Sequence, residues 1–332
     1  MATLYDVCKK TGLSTATVSR VINGSDKVRE TTRQRVQRAM KELNYRPNQA
    51  ARMLAGKKTD TIGVIFPEIN NGFYAQVLRG IDDATRESGL HLLTSFYHSP
   101  NELKGALQRL AAGGRTDALV LMNIGLSDQQ IQSQIDDDFP IVLIGHSAET
   151  STAFDVVGID NAKGAYHAVR HLFELNRENL ILLTGPADNF DSTQRLEGAR
   201  MAFSDAGKDF STVTLLEDDF TYEGGKRAME TFLSGKKPLL DAVFAFNDPM
   251  ALGVLDALQE AGYSVPEDVA VIGFDDNEIA RHIGMTTVHV PMRDVGYEAA
   301  TLAIRRKDEN TRHPSTITIA TSLVKRRTTG ET

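Results

Sequence analysis

The sequence has little cysteine and no long apolar run, and these absences exclude several classes of protein. Cys8 is the single cysteine in 332 residues, which excludes an internal disulfide and any multi-cysteine zinc cluster. Its neighbours Leu4 and Val7 favour a buried, unreactive thiol. No stretch reaches the ~18 consecutive apolar residues of a membrane span, and the N-terminus lacks the charged-then-apolar layout of a secretory signal. We therefore expect a cytoplasmic protein of two or three domains.

Sequence motifs of the common enzyme classes are also missing. There is no Gly-x-Ser-x-Gly nucleophile elbow and no Gly-x-x-x-x-Gly-Lys phosphate loop. His167 and His171 have the spacing of a helical metal pair, but no Glu follows the first His and no third ligand is evident. The acidic runs 136–138 and 217–219 are typical of solvated loops. We expect a protein that is not an enzyme, with no catalytic residues, no cofactor and no metal ion.

Positive charge is scarce in most of the chain but is concentrated at its N-terminus. The formal net charge is −7, yet residues 1–60 contain thirteen Lys or Arg and five Asp or Glu. This end therefore carries +8, which leaves −15 for the remaining residues. A basic end on an acidic body suits a polyanion that is bound by that end alone. A pair of merely solvated basic helices is the alternative interpretation of the charge distribution.

The basic N-terminal segment has the pattern of a helix-turn-helix. A short helix from Leu4 is followed by Gly12, where the chain can turn, and Ser14 is placed to cap a second helix that runs to about Asn23. A third helix, capped by Thr31, would cover the pair. In this motif the second helix enters the major groove through its N-terminal residues, and an arginine there can bind guanine O6 and N7. The predicted base-contacting residues are Thr15, Ala16, Thr17 and Arg20.

A short segment after this headpiece has the features of a marginal helix. Pro47 stands where a helix can begin and Gly56 where it can end. Two turns do not repay the cost of nucleation, so we expect this helix to form only against a partner helix and DNA. Leu54 is then the kind of apolar side chain that minor-groove proteins insert between base steps. Docking of Leu54 on the body of the protein is the alternative.

From residue 61 onwards, apolar strand-like runs alternate with helical stretches. This alternation predicts an α/β fold with two consecutive doubly wound units, whose parallel sheets are covered on both faces. In such sheets ligands bind beyond the carboxyl ends of the strands. The predicted strands are residues 62–66, 91–96, 118–122, 141–145, 156–159, 180–184, 213–216, 242–246 and 269–274.

Polar and aromatic side chains are concentrated at these strand ends. Carboxylates, amides and one arginine beside aromatic rings suit a neutral, hydroxyl-rich molecule, because the polar groups bind hydroxyls and a ring covers the apolar face of a sugar. Capping of the helix that follows each strand is the alternative role for any single Asn or Asp, including Asn161 and Asp248. The candidate effector contacts are Phe73, Tyr74, Asp160, Asn189, Asp191, Arg195, Phe220, Asn247 and Asp275.

Several of these motifs resemble those of the lactose-repressor and purine-repressor (LacI/GalR) family of bacterial transcription regulators, from residue 2 to about residue 327. The N-terminal motifs are residues 5–7, 14–24, Tyr45-Arg46-Pro47-Asn48 and Ala51-Arg52-Met53-Leu54. The motifs of the body are residues 185–198, 247–253 and 273–275. The headpiece is most similar to that of the carbohydrate-responsive and catabolite-control members.

The resemblance implies roles for the candidate residues. It implies that Leu54 enters the minor groove at the operator centre and that Tyr45 and Asn23 contact phosphates. The full set of implied DNA contacts is Thr15, Ala16, Thr17, Arg20, Asn23, Tyr45, Asn48, Leu54 and Ala55.

For the effector, the resemblance implies that Arg195, Asn247 and Asp275 bind it and that Phe220 stacks on it. It also implies that Phe73 and Tyr74 flank the ligand-binding cleft, and that Asp160 contacts the effector directly or contacts a residue that does. Two positions depart from the family pattern. Asp191 is acidic where relatives often have a small hydroxyl residue or alanine, and Met292 stands where some have an aromatic. These departures leave the identity of the effector open.

The resemblance also implies a domain organisation. We expect a helix-turn-helix headpiece in residues 1–46, a hinge helix and linker in 47–60, and a two-lobed body like the periplasmic binding proteins in 61–332. The expected lobes are about 61–160 with 291–321, and 161–290 with 322–332.

We expect a repressor of carbohydrate-metabolism genes that responds to a sugar or sugar derivative. It should bind a pseudo-palindromic operator as a homodimer, since one recognition helix reads only a few base pairs. The chain ends without a leucine-heptad tail, which favours a dimer over a tetramer. A transport-type sugar-binding protein is the alternative, against which the basic headpiece and the missing signal argue. The sequence leaves open whether the effector induces or corepresses, which genes are controlled and whether a phosphoprotein takes part.

Overall fold

The computed structural model describes residues 2–22, 27–45, 58–67, 72–122, 126–136, 138–145, 151, 153–235, 239–309 and 313–330. The chain divides into two units, Met1–Thr59 and Asp60–Thr332. No helix in the described ranges is both long enough and apolar enough to span a membrane.

The described part of the first unit contains α1 (Leu4–Thr11), α2 (Thr15–Ile22) and α3 (Glu30–Glu42). Gly12 ends α1 with a left-handed φ of 62°, and the Ser14 hydroxyl accepts the Thr17 backbone N–H at 3.3 Å to begin α2. One valine from each helix is fully buried in a shared core, and Cys8 packs in the same core: Val7, Val18 and Val36. The predicted helix-turn-helix with its covering helix is confirmed.

The predicted cap of the third helix is wrong. The helix begins at Glu30, one residue before Thr31, and Arg29 holds the cap position without a side-chain hydrogen bond. Glu30 supplies negative charge in the first turn instead, where it complements the helix dipole.

The second unit contains twelve strands in its described residues. They are β1 (Thr61–Pro67), β2 (His91–Tyr97), β3 (Ala118–Met122), β4 (Ile141–Ile144), β5 (Asp155–Ile159), β6 (Leu180–Thr184), β7 (Thr214–Glu217), β8 (Ala242–Ala245), β9 (Ala270–Asp275), β10 (Thr286–His289), β11 (Thr316–Ile319) and β12 (Ser322–Val324). The helices are α4 (Gly72–Glu87), α5 (Pro100–Leu107), α6 (Asp128–Gln132), α7 (Asn161–Glu174), α8 (Phe190–Asp205), α9 (Tyr222–Leu233), α10 (Asp248–Glu260), α11 (Glu278–His282) and α12 (Met292–Arg306).

The strands form two six-stranded sheets, each the centre of one lobe. The first sheet has the order β11-β5-β4-β3-β1-β2 and is parallel throughout. The second has the order β12-β10-β9-β8-β6-β7 and is parallel except for the β10–β12 pair. Every residue of β3, β4, β6, β8 and β9 is buried, as expected for strands covered on both faces. The predicted doubly wound α/β fold is confirmed.

The chain passes between the two sheets three times, after β5, after β10 and after β11. Asp160 lies on the first of these crossings, and its carbonyl oxygen accepts the hydroxyl of Thr321 on the third at 3.0 Å. The first and third crossings are therefore tied together by a hydrogen bond beside the carboxyl ends of the strands.

The strands β10, β11 and β12 were not predicted from the sequence. These strands are only three or four residues long, and two of them, with sequences TTVH and TITI, are rich in threonine rather than in aliphatic residues. Their threonines are hydrogen-bonded where they are buried: Thr286 donates to the Arg326 carbonyl at 3.0 Å and Thr287 to the Asp248 carboxylate at 2.6 Å. Burial that depends on such distant partners leaves no apolar pattern in the sequence.

Close approach of helices in the first lobe depends on glycine. The helices α4 and α12 pack against each other at Gly80 and Gly296, where a Cβ atom would overlap the carbonyl oxygens of Arg293 and Val77 respectively. Backbone, rather than a flexible side chain, occupies the space at both positions.

We predict that Gly80→Ala lowers the free energy of unfolding by about 1–3 kcal/mol, because the added methyl group must push α12 away from α4. Gly72→Ala is the matched control on the same helix, since a Cβ atom there meets nothing within 4 Å. The control should stay within about 0.5 kcal/mol of the parent in urea titrations followed by circular dichroism. Equal losses of unfolding free energy in the two variants would contradict the inference that Gly80 is needed for the close packing of α4 against α12.

Candidate functional site

The second helix of the headpiece has one buried and one exposed face. Val18 and Val21 are buried, whereas Thr15, Ala16 and Arg20 are exposed. Thr17 is half-buried, and its hydroxyl lies 2.9 Å from that of Ser14. Within the described residues of the headpiece Arg20 makes no ion pair, so its guanidinium is available to a ligand. Three of the predicted base-contacting residues are therefore exposed on α2, with Thr15 and Ala16 at its start and Arg20 in its last turn.

Tyr45 is the one predicted phosphate contact among the described residues. It is half-buried, packs against the headpiece core, and donates its backbone N–H to the Met40 carbonyl at 2.9 Å. Burial raises the pKa of its phenol, which keeps the hydroxyl protonated as a donor. The other implied contacts lie outside the described residues, as does most of the predicted hinge: Asn23, Asn48, Leu54 and Ala55.

The candidate effector contacts of the body all lie at strand ends or in the first two turns of the helix that follows. In the first lobe these positions follow β1 and β5, and in the second lobe they follow β6, β7 and β8 or end β9. Burial raises the pKa of Tyr74 in the first lobe, and the charges of Asp191 and Asp275 in the second lobe add to this effect, so these residues of the two lobes lie near each other. The structure therefore brings residues of both lobes to one cleft.

Arg195 lies at the centre of this cleft, on α8. Its side chain is almost completely buried, with Nε donating to Asn161 Oδ1 at 2.8 Å and a terminal nitrogen donating to the Phe246 carbonyl. The other terminal nitrogen lies 4.0 Å from Asp275 Oδ1. The guanidinium also stacks on the Phe274 ring, 3.8 Å from its centroid. The predicted neighbours Arg195 and Asp275 are thus brought together.

Asn161 was not among the candidate contacts, yet it connects two of them. Its Nδ2 donates to Asp191 Oδ1 at 2.9 Å while its Oδ1 accepts from Arg195. The capping role considered for Asn161 belongs instead to Asp160, whose carboxylate accepts the Lys163 backbone N–H at 3.2 Å. The available signal was the pair Asp160-Asn161 after a strand, in which only one of the two side chains is needed as the helix cap.

Asn189 and Asn247 cap the helices that follow them. Asn189 accepts the Ser192 backbone N–H at 3.0 Å, and Asn247 accepts that of Met250 at 2.9 Å. Asn247 also donates to the carbonyl oxygen of Phe220 at 2.8 Å. This bond holds Phe220 in a left-handed backbone conformation, with φ at 65°. The capping alternative therefore applies to both amides, and Asn247 in addition positions the predicted stacking ring.

The Phe220 ring has a fixed place in the cleft. It packs over Gly185, where a Cβ atom would overlap the ring. On the opposite lobe Phe73 and Tyr74 occupy the first turn of α4, in edge-to-face contact at 5.5 Å between centroids. Aromatic faces thus approach the cleft from both lobes.

Asp275 is a buried carboxylate on a strained backbone. Its φ is 121° and that of Asp276 is 56°, so two consecutive non-glycine residues are in the left-handed half of the Ramachandran plot. Burial raises the pKa of Asp275 to about 7, against the opposing effect of Arg195 and with a further contribution from Asp191. Behind it, burial and the charge of Asp275 raise the pKa of Asp248.

The capping role considered for Asp248 is wrong, because Asn247 caps α10 and Asp248 lies in the first turn of that helix. Asp248 is fully buried and accepts hydrogen bonds from the Thr287 hydroxyl at 2.6 Å and the Asn277 backbone N–H at 2.8 Å. It therefore joins α10 to β10 and to the start of α11 beneath the cleft.

In the parts of the chain that the structure describes, no group of three or more His, Cys, Asp or Glu side chains is placed to hold a metal ion. Of the histidine pair noted in the sequence, His171 is buried with Nε2 at 3.2 Å from the Thr329 hydroxyl. The ring of His167 packs edge-on against Tyr166. The two rings therefore have different surroundings.

Comparison with known proteins places both units in one family. Residues 3–48 match the model of bacterial regulatory proteins of the lacI family, and residues 169–329 match that of a periplasmic binding protein-like domain. The HTH-type transcriptional regulator CelR of Thermobifida fusca is 36% identical over 332 residues, covering 98% of this chain and 97% of the relative.

Two solved structures are similar over nearly the whole chain. A complex of the transcriptional regulator CelR with cellobiose matches at 34% identity and a TM-score of 0.74, covering 99% of this chain and 100% of that one. The lac repressor dimer bound to operator and the anti-inducer ONPF matches at 28% identity and a TM-score of 0.87, covering 99% of each chain. The protein belongs to the lacI family of bacterial regulatory proteins.

Proposed function

We propose that the protein is a DNA-binding transcription regulator whose operator affinity is controlled by a sugar or sugar derivative bound between the two lobes. The observation that carries the proposal is the buried network of Asp191, Asn161, Arg195 and Asp275, which lies where parallel strands end. The same chain carries a basic helix-turn-helix with an exposed recognition face. A chain that combines an effector-binding body with a DNA-binding headpiece can regulate transcription in response to the effector.

The recognition helix α2 reads bases in the major groove. In this proposal Thr15, Ala16 and Thr17 approach the groove and Arg20 binds a guanine edge. Residues 47–60 form the hinge, with Leu54 in the minor groove. The remaining proposed contacts to backbone and groove are Asn23, Tyr45, Asn48 and Ala55.

The protein acts as a homodimer on a pseudo-palindromic operator. A two-fold axis doubles the short site that one recognition helix can read, and it supplies each hinge helix with a mate. The similarity to the lac repressor dimer on its operator supports this assembly. Because its target is DNA, we place the protein in the cytoplasm and assign it no catalytic activity or cofactor.

A saccharide fits the cleft better than a nucleobase. Carboxylates and amides can each bind a pair of hydroxyls, and the rings of Phe220, Phe73 and Tyr74 can cover apolar sugar faces. The donors of a nucleobase lie in one plane at its ring edges, whereas a saccharide directs hydroxyl groups to several sides and can bond both Asp191 and Asp275. The cellobiose complex of CelR supports the same class of ligand.

Binding between the lobes draws them together about the three crossings. Movement of the lobes displaces the paired hinge segments and changes operator affinity, by a coupling of about 1–3 kcal/mol that is reciprocal between ligand and operator.

Arg20→Ala tests the recognition helix. We expect the variant to lose about 1–3 kcal/mol of operator affinity in gel-shift titrations, while binding to unrelated DNA is nearly unchanged, because the bidentate contact to guanine is specific. Lys41→Ala on α3 is the control for loss of one positive charge, and it should weaken binding to operator DNA and to unrelated DNA by similar amounts. Equal operator affinity for Arg20→Ala and the parent would show that α2 is not docked as proposed.

Asp275→Ala tests the effector site. A thermal-shift screen of monosaccharides, disaccharides, sugar phosphates, purines and nucleosides identifies ligands of the parent protein. Asp275→Ala should lose the shift produced by each saccharide, because a central acceptor is gone, yet bind operator like the parent. Glu197→Gln, at an exposed position of α8, should keep the shift. A purine or nucleoside response without a saccharide response would overturn the sugar assignment, and a retained shift in Asp275→Ala would overturn the site.

A further inference from the structure

The edge at which the strands end is acidic in both lobes. In the sequence, the three residues after each of β1 to β10 and the two between β11 and β12 include no Lys or Arg. The same segments contain seven carboxylate residues, namely Glu68, Asp160, Asp218, Asp219, Asp248, Asp276 and Glu278. Ligands of such folds bind at this edge, and these segments present carboxylates but no Lys or Arg to an incoming ligand.

Three helices that begin at this edge, α7, α8 and α10, are capped by the protein's own side chains. Asp160 caps α7, Asn189 caps α8 and Asn247 caps α10. Asp191 and Asp248 add acidic groups to the first turns of α8 and α10. Free N–H groups at a helix N-terminus are the usual binding site for phosphate in α/β proteins. In these three helices the capping side chain accepts one of those N–H groups, and the carboxylates of Asp160, Asp191 and Asp248 oppose the positive end of the helix dipole.

The one cation in the described network of the cleft is committed to the protein. Arg195 is 4% exposed, so almost none of its surface is left for a ligand. Its donors are directed to Asn161 and the Phe246 carbonyl, and its remaining terminal nitrogen faces Asp275. A phosphate could pair with this guanidinium only by displacing it from acceptors that satisfy a buried charge.

From this arrangement we propose that the effector is a saccharide without a phosphate group, that phosphorylated saccharides are rejected, and that Asp191 and Asn161 set this preference. The inference rests on the proposed sugar-responsive function and narrows its ligand class. Asp191 supplies a half-buried negative charge on the cleft side of the network. Asn161 is a positioning residue, because it holds Arg195 in place through one hydrogen bond and Asp191 through another.

Matched pairs of ligands test the preference. Isothermal titration of the full-length parent would compare glucose with glucose 6-phosphate, galactose with galactose 6-phosphate, and cellobiose with its 6-phosphate. For a pair that binds, we expect the unphosphorylated member to bind at least about 100-fold more tightly, because like charges a few ångströms apart in a partly buried site repel strongly. A phosphorylated member that binds equally well or better overturns the inference while the sugar-responsive function stands. Binding of adenine or guanine without any saccharide overturns both.

Two variants test which residues set the preference for unphosphorylated saccharides. The readout is the ratio of the affinities for the unphosphorylated and the phosphorylated member of each pair. Asp191→Asn removes the negative charge, and Asn161→Ala releases Arg195; each should lower the ratio about tenfold or more. Loss of structure alone would weaken both members of a pair equally and leave the ratio unchanged. Glu197→Gln removes an exposed carboxylate from the same helix as Asp191 and should keep the parent ratio. A parent-like ratio in Asp191→Asn and Asn161→Ala overturns their assignment.

Discussion

The buried positive charge of Arg195 is the constraint on which the site depends. A guanidinium removed from water costs several kcal/mol unless the protein pairs it and bonds its donors. Asn161, the Phe246 carbonyl and Asp275 meet this demand, and the Phe274 ring covers the remaining face. These partners come from the start of α7 and from the ends of β8 and β9. Satisfying one charge therefore fixes the relative positions of three elements around the cleft.

The same partners lie next to the segments that connect the lobes. Asn161 directly follows the first crossing, at Asp160. Asp276, beside Asp275, accepts from Arg326 at 2.7 Å and lies 2.9 Å from Nδ1 of His289, which ends β10 at the second crossing. A ligand that binds Asp275 thus acts on a residue that is next to the crossings and in contact with Arg195. In the proposed mechanism the lobes close by bending at these crossings, which lie beside the proposed ligand contacts.

The sequence predicted the elements whose signal is local. Apolar runs such as 118–122 and 180–184 are strands. Parallel strands bring their carboxyl ends to one edge of the sheet, so the sequence alone could place Arg195 and Asp275 at the same edge. Asn161 was missed because helix capping explains an asparagine after a strand equally well, and only the structure shows that Asp160 is the cap. The strand β10 was missed because its buried Thr287 is satisfied by Asp248, 39 residues away in the chain.

In the proposed regulator, saccharide binding in the body is coupled to operator binding by the headpiece. The most direct test is a closed thermodynamic cycle: the dissociation constant of the operator with and without saturating saccharide, and that of the saccharide with and without saturating operator. We expect each ligand to change the dissociation constant of the other by the same factor, between about 5-fold and 150-fold. A saccharide that binds in the cleft and leaves operator affinity unchanged would show that the two sites are not coupled.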